Sequence, residues 1–319
     1  MIYLPNSSTT DEDFKEITSK IHRYAGIIIF FAGIIGNILN ILLLSHRSLR
    51  SNTCVIIFIG SSITGTITIL SGLISRVTTI WIVDLTDTIH WICKCRGFIL
   101  YTFRFMTFWL IMLATIDRWL VSSRDARLRR LSSIKNVFRS IFLIGIFSIL
   151  IHLQIFSCHK ANLKNTPLEC FNKDMKCRLL NDLIFAFVTI LIPLMVIVVF
   201  GWMTILNVRS TQSVMKAKSI NKSSKRRDQD VFRMLLIQVI LLACLTLPMA
   251  IQKLYTTFKI HHGNDHRSKH DKRMNDFIYR IALLMTFIAN GMQFYVNALS
   301  GGRVFRKVLV DFFRSIKCR

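Results

Sequence analysis

Two arginines set the chemical question this sequence poses. Arg104 lies within an apolar run over 97–116 that is otherwise uncharged, and Arg118 follows that run in Asp117-Arg118-Trp119. They are 14 residues apart, close to four helical turns, so both project from one side of a helix. A guanidinium stays charged, and at apolar depth it needs an acid, a carbonyl, water or a bound anion. Asp117 adjoins Arg118, but no acid falls inside any of the apolar runs read below, so none is offered to Arg104. Lys253, Arg280 and Arg76 stand at the ends of other runs. With Arg104 they suggest a cationic pocket suited to an anion, against the plainer reading of a hydrated arginine and ordinary anchors. Hydrolysis inside a membrane would need paired aspartates or a Ser/His dyad. His152 is the only histidine within a run, so no enzyme is expected. The segment from His261-His262-Gly263 to His270-Asp271 is rich in histidine, but its spacing matches no standard zinc site. It reads as a solvated loop, and no metal or cofactor is expected.

The elements that position these residues are long apolar runs. A helix needs about 20 mostly apolar residues to cross a bilayer. Seven runs approach or exceed that length: Tyr24 to Ser45, Cys54 to Ser75, Gly97 to Ile116, Ser140 to Ser157, Leu183 to Val208, Met234 to Gln252 and Ile281 to Gly302. Barrel strands are about half as long and alternate in polarity, so strands are disfavoured. In lipid each backbone amide must be bonded within its own segment, which a helix achieves. No internal repeat of the kind that marks many transporters is visible. The fold class is therefore an all-α membrane protein, a seven-transmembrane helix bundle over 24–302. An N-terminal tail over 1–23 precedes it, and a tail over 303–319 follows.

Composition agrees. The chain is 52% hydrophobic with a mean hydropathy of +0.46, more apolar surface than a soluble domain of 319 residues covers. The net charge of +25 would suit nucleic acid, but the basic residues lie in short connectors rather than on one face, so no nucleic-acid partner is expected. The first 20 residues are polar, with no apolar segment of the kind a cleaved leader carries, so the first run is expected to act as its own insertion signal. With the N-terminus outside, 23 Lys and Arg fall on the inner side and 18 on the outer, a modest bias in the favoured direction. The Asn6-Ser7-Ser8 sequon and five of the eight cysteines then lie on the outer, oxidising side. A multi-pass protein of the plasma membrane with its N-terminus outside is expected.

The landmarks inside the runs go further. Gly36-Asn37 lies in the first, Asp117-Arg118-Trp119 ends the third, Leu191-Ile192-Pro193-Leu194 lies in the fifth and Cys244-Leu245-Thr246-Leu247-Pro248 in the sixth. In joint order and spacing, over about residues 24 to 313, the chain resembles the rhodopsin-like G-protein-coupled receptors. The resemblance implies an extracellular ligand, a peptide or an anionic small molecule, and a heterotrimeric G protein as partner. Asp117, Arg118 and Trp119 stand where the family has Asp-Arg-Tyr, and Asp228 where an acid can hold that arginine at rest. Pro193 and Pro248 match bends about which helices swing. The resemblance also implies a disulfide from Cys93 to the second outer loop. Cys170 is its first choice of partner, with Cys177 and Cys158 as alternatives and Cys95 as a rival to Cys93. Val304 to Ile316, with Phe305, Leu309, Phe312 and Ile316 on one face, is expected to form the family's short amphipathic interfacial helix.

Departures from the pattern are also plain. Thr64 stands where the second span usually has an acid, and Thr246 where the sixth often has tryptophan. Gln293-Phe294-Tyr295-Val296-Asn297 replaces Asn-Pro-x-x-Tyr. The third run has no acid before Asp117 to bind an amine, and the seventh has no lysine for retinal. The ligand pocket is expected around Arg104, Thr246, Lys253 and Arg280. A transporter or channel is the alternative, but such pathways need charge along several spans. If Asp228 restrains Arg118, Asp228→Ala should raise ligand-free nucleotide exchange on a G protein; an unchanged basal rate would count against that pairing.

Overall fold

The structure is a computed structural model that describes residues 7–46, 52–78, 88–163, 170–215, 222–261 and 269–300. Asn6, the 303–319 segment with its expected interfacial helix, and most of the histidine-rich loop lie outside the described residues. Among the described residues, six helices are long and apolar enough to cross a bilayer: Lys20–Leu44, Thr53–Ile74, His90–Ser122, Ile134–Cys158, Met175–Val208 and Leu236–Lys259. The seventh crossing is a broken pair, Arg273–Gly291 and Gln293–Leu299, bent by 56°. Two of these boundaries correct the hydropathy reading. The fifth span begins at Met175 and so takes in Asp182, an acid that the sequence reading placed outside every run. The seventh begins at Arg273 rather than Ile281, which moves Arg280 from the helix end into its body.

The third span is the hub, packing against the second, fourth and fifth, while the first lies against the second and seventh. Large apolar side chains cover the outside, among them Ile28, Phe142, Val198 and Trp202. In water such a surface would aggregate; in lipid it is the expected face.

Close approach between helices relies on missing side chains. A Cβ built on Gly291 would lie 2.7 Å from the Gly33 Cα, so the first and seventh spans meet backbone to backbone. The bend follows directly after Gly291, at Met292, and needs no proline. Met292 N still donates to the Ile288 carbonyl at 3.0 Å, and Val296 N to the Met292 carbonyl at 3.0 Å.

The fifth span contains a wide turn. Ile184–Leu191 is a π-helix, and Ile192 N donates to the Phe187 carbonyl, five residues back. In that register the Val188 carbonyl would need the N–H of residue 193, which proline lacks. Trp109 Nε1 of the third span supplies it at 3.1 Å. Pro193 thus sits where a wide turn ends, and a neighbouring helix restores the lost bond. Pro248, by contrast, lies within a helix unbroken over Lys222–His261.

The outer loop between the fourth and fifth spans is held across the mouth of the bundle. His159–Lys160 and Phe171–Asn172 pair antiparallel, with His159 opposite Asn172. Cys93 is bonded to Cys170, the pairing implied by the resemblance, with Cα atoms 5.7 Å apart. A second disulfide joins Cys158 to Cys177, which the sequence reading had held as alternatives to Cys170, and Cys95 is free.

The Gly33–Gly291 contact predicts a position-specific cost. Gly291→Ala should lower the thermal stability of the solubilised protein by about 1–3 kcal/mol, because backbone cannot yield. Gly201→Ala, where an added Cβ meets nothing within 4 Å, should leave it unchanged or raise it. Equal effects at the two positions would refute the close approach.

Candidate functional site

Three layers of buried polar residues run down the bundle. At the inner end, Asp117 and Arg118 are both buried and paired at 2.7 Å. Thr53 Oγ1 donates to Asp117 Oδ2 at 2.8 Å and Ser132 Oγ to Asp117 Oδ1 at 2.5 Å. Arg118 Nη2 also donates to Asn52 Oδ1 at 2.8 Å. The guanidinium is therefore tied to its own helix and to the start of the second span. The Asp228 side chain lies outside the described residues, although its backbone is helical. Trp119 meets Phe200 of the fifth span edge to face at 4.9 Å.

In the middle layer, amides and hydroxyls join the first, second, third and seventh spans. Asn40 Nδ2 donates to Ser62 Oγ at 2.7 Å, and Asn297 Nδ2 to Asn40 Oδ1 at 2.9 Å. Gln293 is bonded at both ends of its amide: Nε2 donates to Ser61 Oγ at 2.6 Å and Oε1 accepts from Ser62 Oγ at 3.0 Å. Thr64, which replaces the usual acid, shares a hydrogen bond of 2.9 Å with Thr107. All these side chains are buried. Thr246 is also buried, with its hydroxyl donated to the Leu242 carbonyl at 2.7 Å. Asn297 thus makes a different contact at the position where the family pattern has tyrosine.

The outer layer encloses a small cavity of about 40 Å³. Arg96, Tyr101, Arg104, Lys253, Tyr279 and Phe287 are among its walls. Of the expected pocket residues, Arg104 and Lys253 are thus brought together, while Thr246 and the half-buried Arg280 stand apart from its lining. Arg76 has no described side chain.

Lys253 is not an open cation. Its Nζ is ion-paired with Asp182 Oδ1, and Thr257 Oγ1 donates to Asp182 Oδ2 at 2.6 Å. Arg178 Nε stands 3.8 Å from the same carboxylate. This cluster ties the outer ends of the fifth and sixth spans together. Nothing in the sequence joins residues 71 apart, and Asp182 lies just before the apolar run that starts at Leu183. The signal available was its position seven residues after Met175, on a helical stretch whose polar residues precede the apolar run. Above it, burial and then the nearby Lys253 charge depress the His159 pKa to about 4, so the ring is neutral near pH 7.

Arg104 has no such partner among the described residues. It is 2% exposed, and its guanidinium lies over the Phe287 ring at 4.8 Å. Its Nε and Nη2 donate to no atom among the described residues. His152, by contrast, is satisfied through Nδ1 by the Ser148 carbonyl at 2.8 Å.

Residues 36–292 match the family model described as 7 transmembrane receptor (rhodopsin family). No curated protein matches the chain. The buried pair on the fifth and sixth spans predicts strong coupling. Lys253→Met alone should destabilise the protein by about 3–5 kcal/mol, since it strands a buried carboxylate. Adding Asp182→Asn should recover most of that loss in thermal melts; additive losses would contradict the pairing.

Proposed function

Because the chain belongs to the rhodopsin family of seven-transmembrane receptors, we propose that it passes an extracellular signal to heterotrimeric G proteins. Membership carries receptor signalling in general. The ligand class, the coupling partner and the roles of individual residues are our reading. The observation that supports it best is the placement of two buried arginines on the third span. Arg104 stands beside the outer cavity, and Arg118 is held by Asp117 and Asn52 at the other end.

In this reading the N-terminus faces outside at the plasma membrane, Asn6 is glycosylated, and the 117–139 and 209–233 segments face the cytoplasm. The described arrangement is the resting one. The outer cavity is small, and the Arg118 guanidinium is occupied. A ligand shifts the population by binding more tightly to a state with the bundle open on the inside. The sixth helix then moves outward about Pro248, with Pro193 and its wide turn giving the fifth helix room to follow. Arg118 leaves Asp117, and Asp228 if it is engaged there, and turns toward the G protein. Trp119 stays packed on the fifth span and keeps the two helices in register.

The ligand is a peptide or an anionic small molecule. Biogenic amines are disfavoured because the cavity walls include arginine and lysine and, among the described residues, no carboxylate. The absence of an acid at Thr64 removes the carboxylate with which a sodium ion would pair in the middle layer. The Asn40, Ser62, Gln293 and Asn297 amides and hydroxyls carry that layer as neutral groups.

Arg118 gives the direct test. Arg118→Ala should abolish nucleotide exchange on purified G proteins while surface expression stays near that of the unaltered chain. Undiminished exchange in a well-expressed variant would refute the coupling role. Ion currents or solute flux through reconstituted protein would favour a transporter or channel instead.

A further inference from the structure

Two arginines line the outer cavity, and they differ in one respect. Arg96 donates Nε to the Ser71 carbonyl at 2.8 Å and Nη2 to the Gly72 carbonyl at 3.0 Å. The same two nitrogens of Arg104 are buried and donate to nothing among the described residues. Nε and Nη2 form one edge of a guanidinium, and their spacing is the one a carboxylate takes with both oxygens. The attraction Arg104 does have, to the Phe287 ring at 4.8 Å, leaves that edge unmet and its charge unneutralised.

The neighbouring charges do not answer it. Lys253 is matched by Asp182, and no carboxylate among the described residues lines the cavity. A lone buried guanidinium costs stability, so a chain that keeps one at this depth keeps it for an anion that arrives from elsewhere. The cavity, about 40 Å³, has room for a carboxylate-sized group rather than for a whole ligand. Tyr101 and Tyr279 in its walls bring aromatic surface.

We propose that Arg104 is the seat of a ligand carboxylate, which enters the outer cavity as the buried end of a longer molecule. This deepens the receptor reading by naming the chemistry of the recognised group, and it rests on that reading only for its consequence in signalling. The carboxylate comes either from a peptide C-terminus or from a small organic acid.

The test is binding to the purified full chain in detergent, without G protein, so its outcome is independent of coupling. Sodium benzoate and sodium octanoate serve as organic-acid probes, with benzamide and octanamide as uncharged matches. N-acetyl-Phe-Phe with a free C-terminus serves as the peptide probe, with its C-terminal amide as the match. At millimolar concentration at least one carboxylate should raise the melting temperature by roughly 2 °C or more, and its amide match should not. Which of the two sources stabilises more identifies the origin of the group. Arg104→Gln should remove the shift. Arg104→Met should melt higher than the unaltered chain in the absence of any probe, because it removes an unanswered buried charge. No stabilisation by any carboxylate, equal stabilisation by carboxylate and amide, or a shift retained in Arg104→Gln would each overturn the proposal. A carboxylate shift in a protein that fails to exchange nucleotide on G proteins would uphold the site and refute the coupling reading alone.

Discussion

A polar group carried into hydrocarbon must find its partner inside the protein, because the surroundings offer none. The rest of this structure depends on that constraint. It is why the backbone is helical wherever it spans. It is why the fifth span, with Pro193 cutting one bond from a wide turn, recruits Trp109 from the third. It is also why the polar residues of the middle layer are amides and hydroxyls in mutual contact rather than scattered singly. The same rule governs the charges. Asp117 answers Arg118, and Asp182 answers Lys253.

The constraint makes parts of the fold legible in the sequence and hides others. Long uncharged runs declare helices because hydropathy is a property of each segment alone. Six of the seven spans follow from it, apart from their ends. The seventh is displaced because its first turns carry Arg273, Asp276 and Arg280, which a hydropathy window rejects although the helix continues through them. Asp182 fails in the same way: the apolar run begins at Leu183, but the helix begins at Met175. An acid one residue before an apolar run looks like a loop acid until a lysine from another helix is seen beside it. The bend at Met292 is hidden for another reason. Proline is the usual marker of a break, and here the break follows Gly291, whose missing side chain lets the first span approach.

The candidate site divides along the same line. Asp117, Arg118 and Trp119 were readable because the motif is contiguous. The Cys93–Cys170 bond followed from the resemblance, whereas Cys158–Cys177 depends on how the outer loop turns back on itself through its short β pair. Arg104 was readable as a cation within a run and Lys253 as one at a run's end, and three-dimensional contact separates them. One is neutralised across 71 positions of sequence, and the other is left with an aromatic face. That asymmetry sets Arg104 apart within what had read as a diffuse cationic pocket. The middle layer shows a related substitution. With Thr64 in place of the usual acid and Gln293 at the motif's asparagine position, the spans are joined by neutral hydrogen bonds, so the cores of the first, second and seventh helices are tied without net charge.

The account stands or falls on the seventh crossing, where two helices bent by 56° are taken as one span. An odd number of crossings puts the chain's ends on opposite sides of the bilayer. The most direct measurement is antibody access to epitope tags at Met1 and Arg319 in the same cells. The account predicts staining of the N-terminal tag on intact cells and of the C-terminal tag only after permeabilisation. Both tags on one side of the membrane would contradict it.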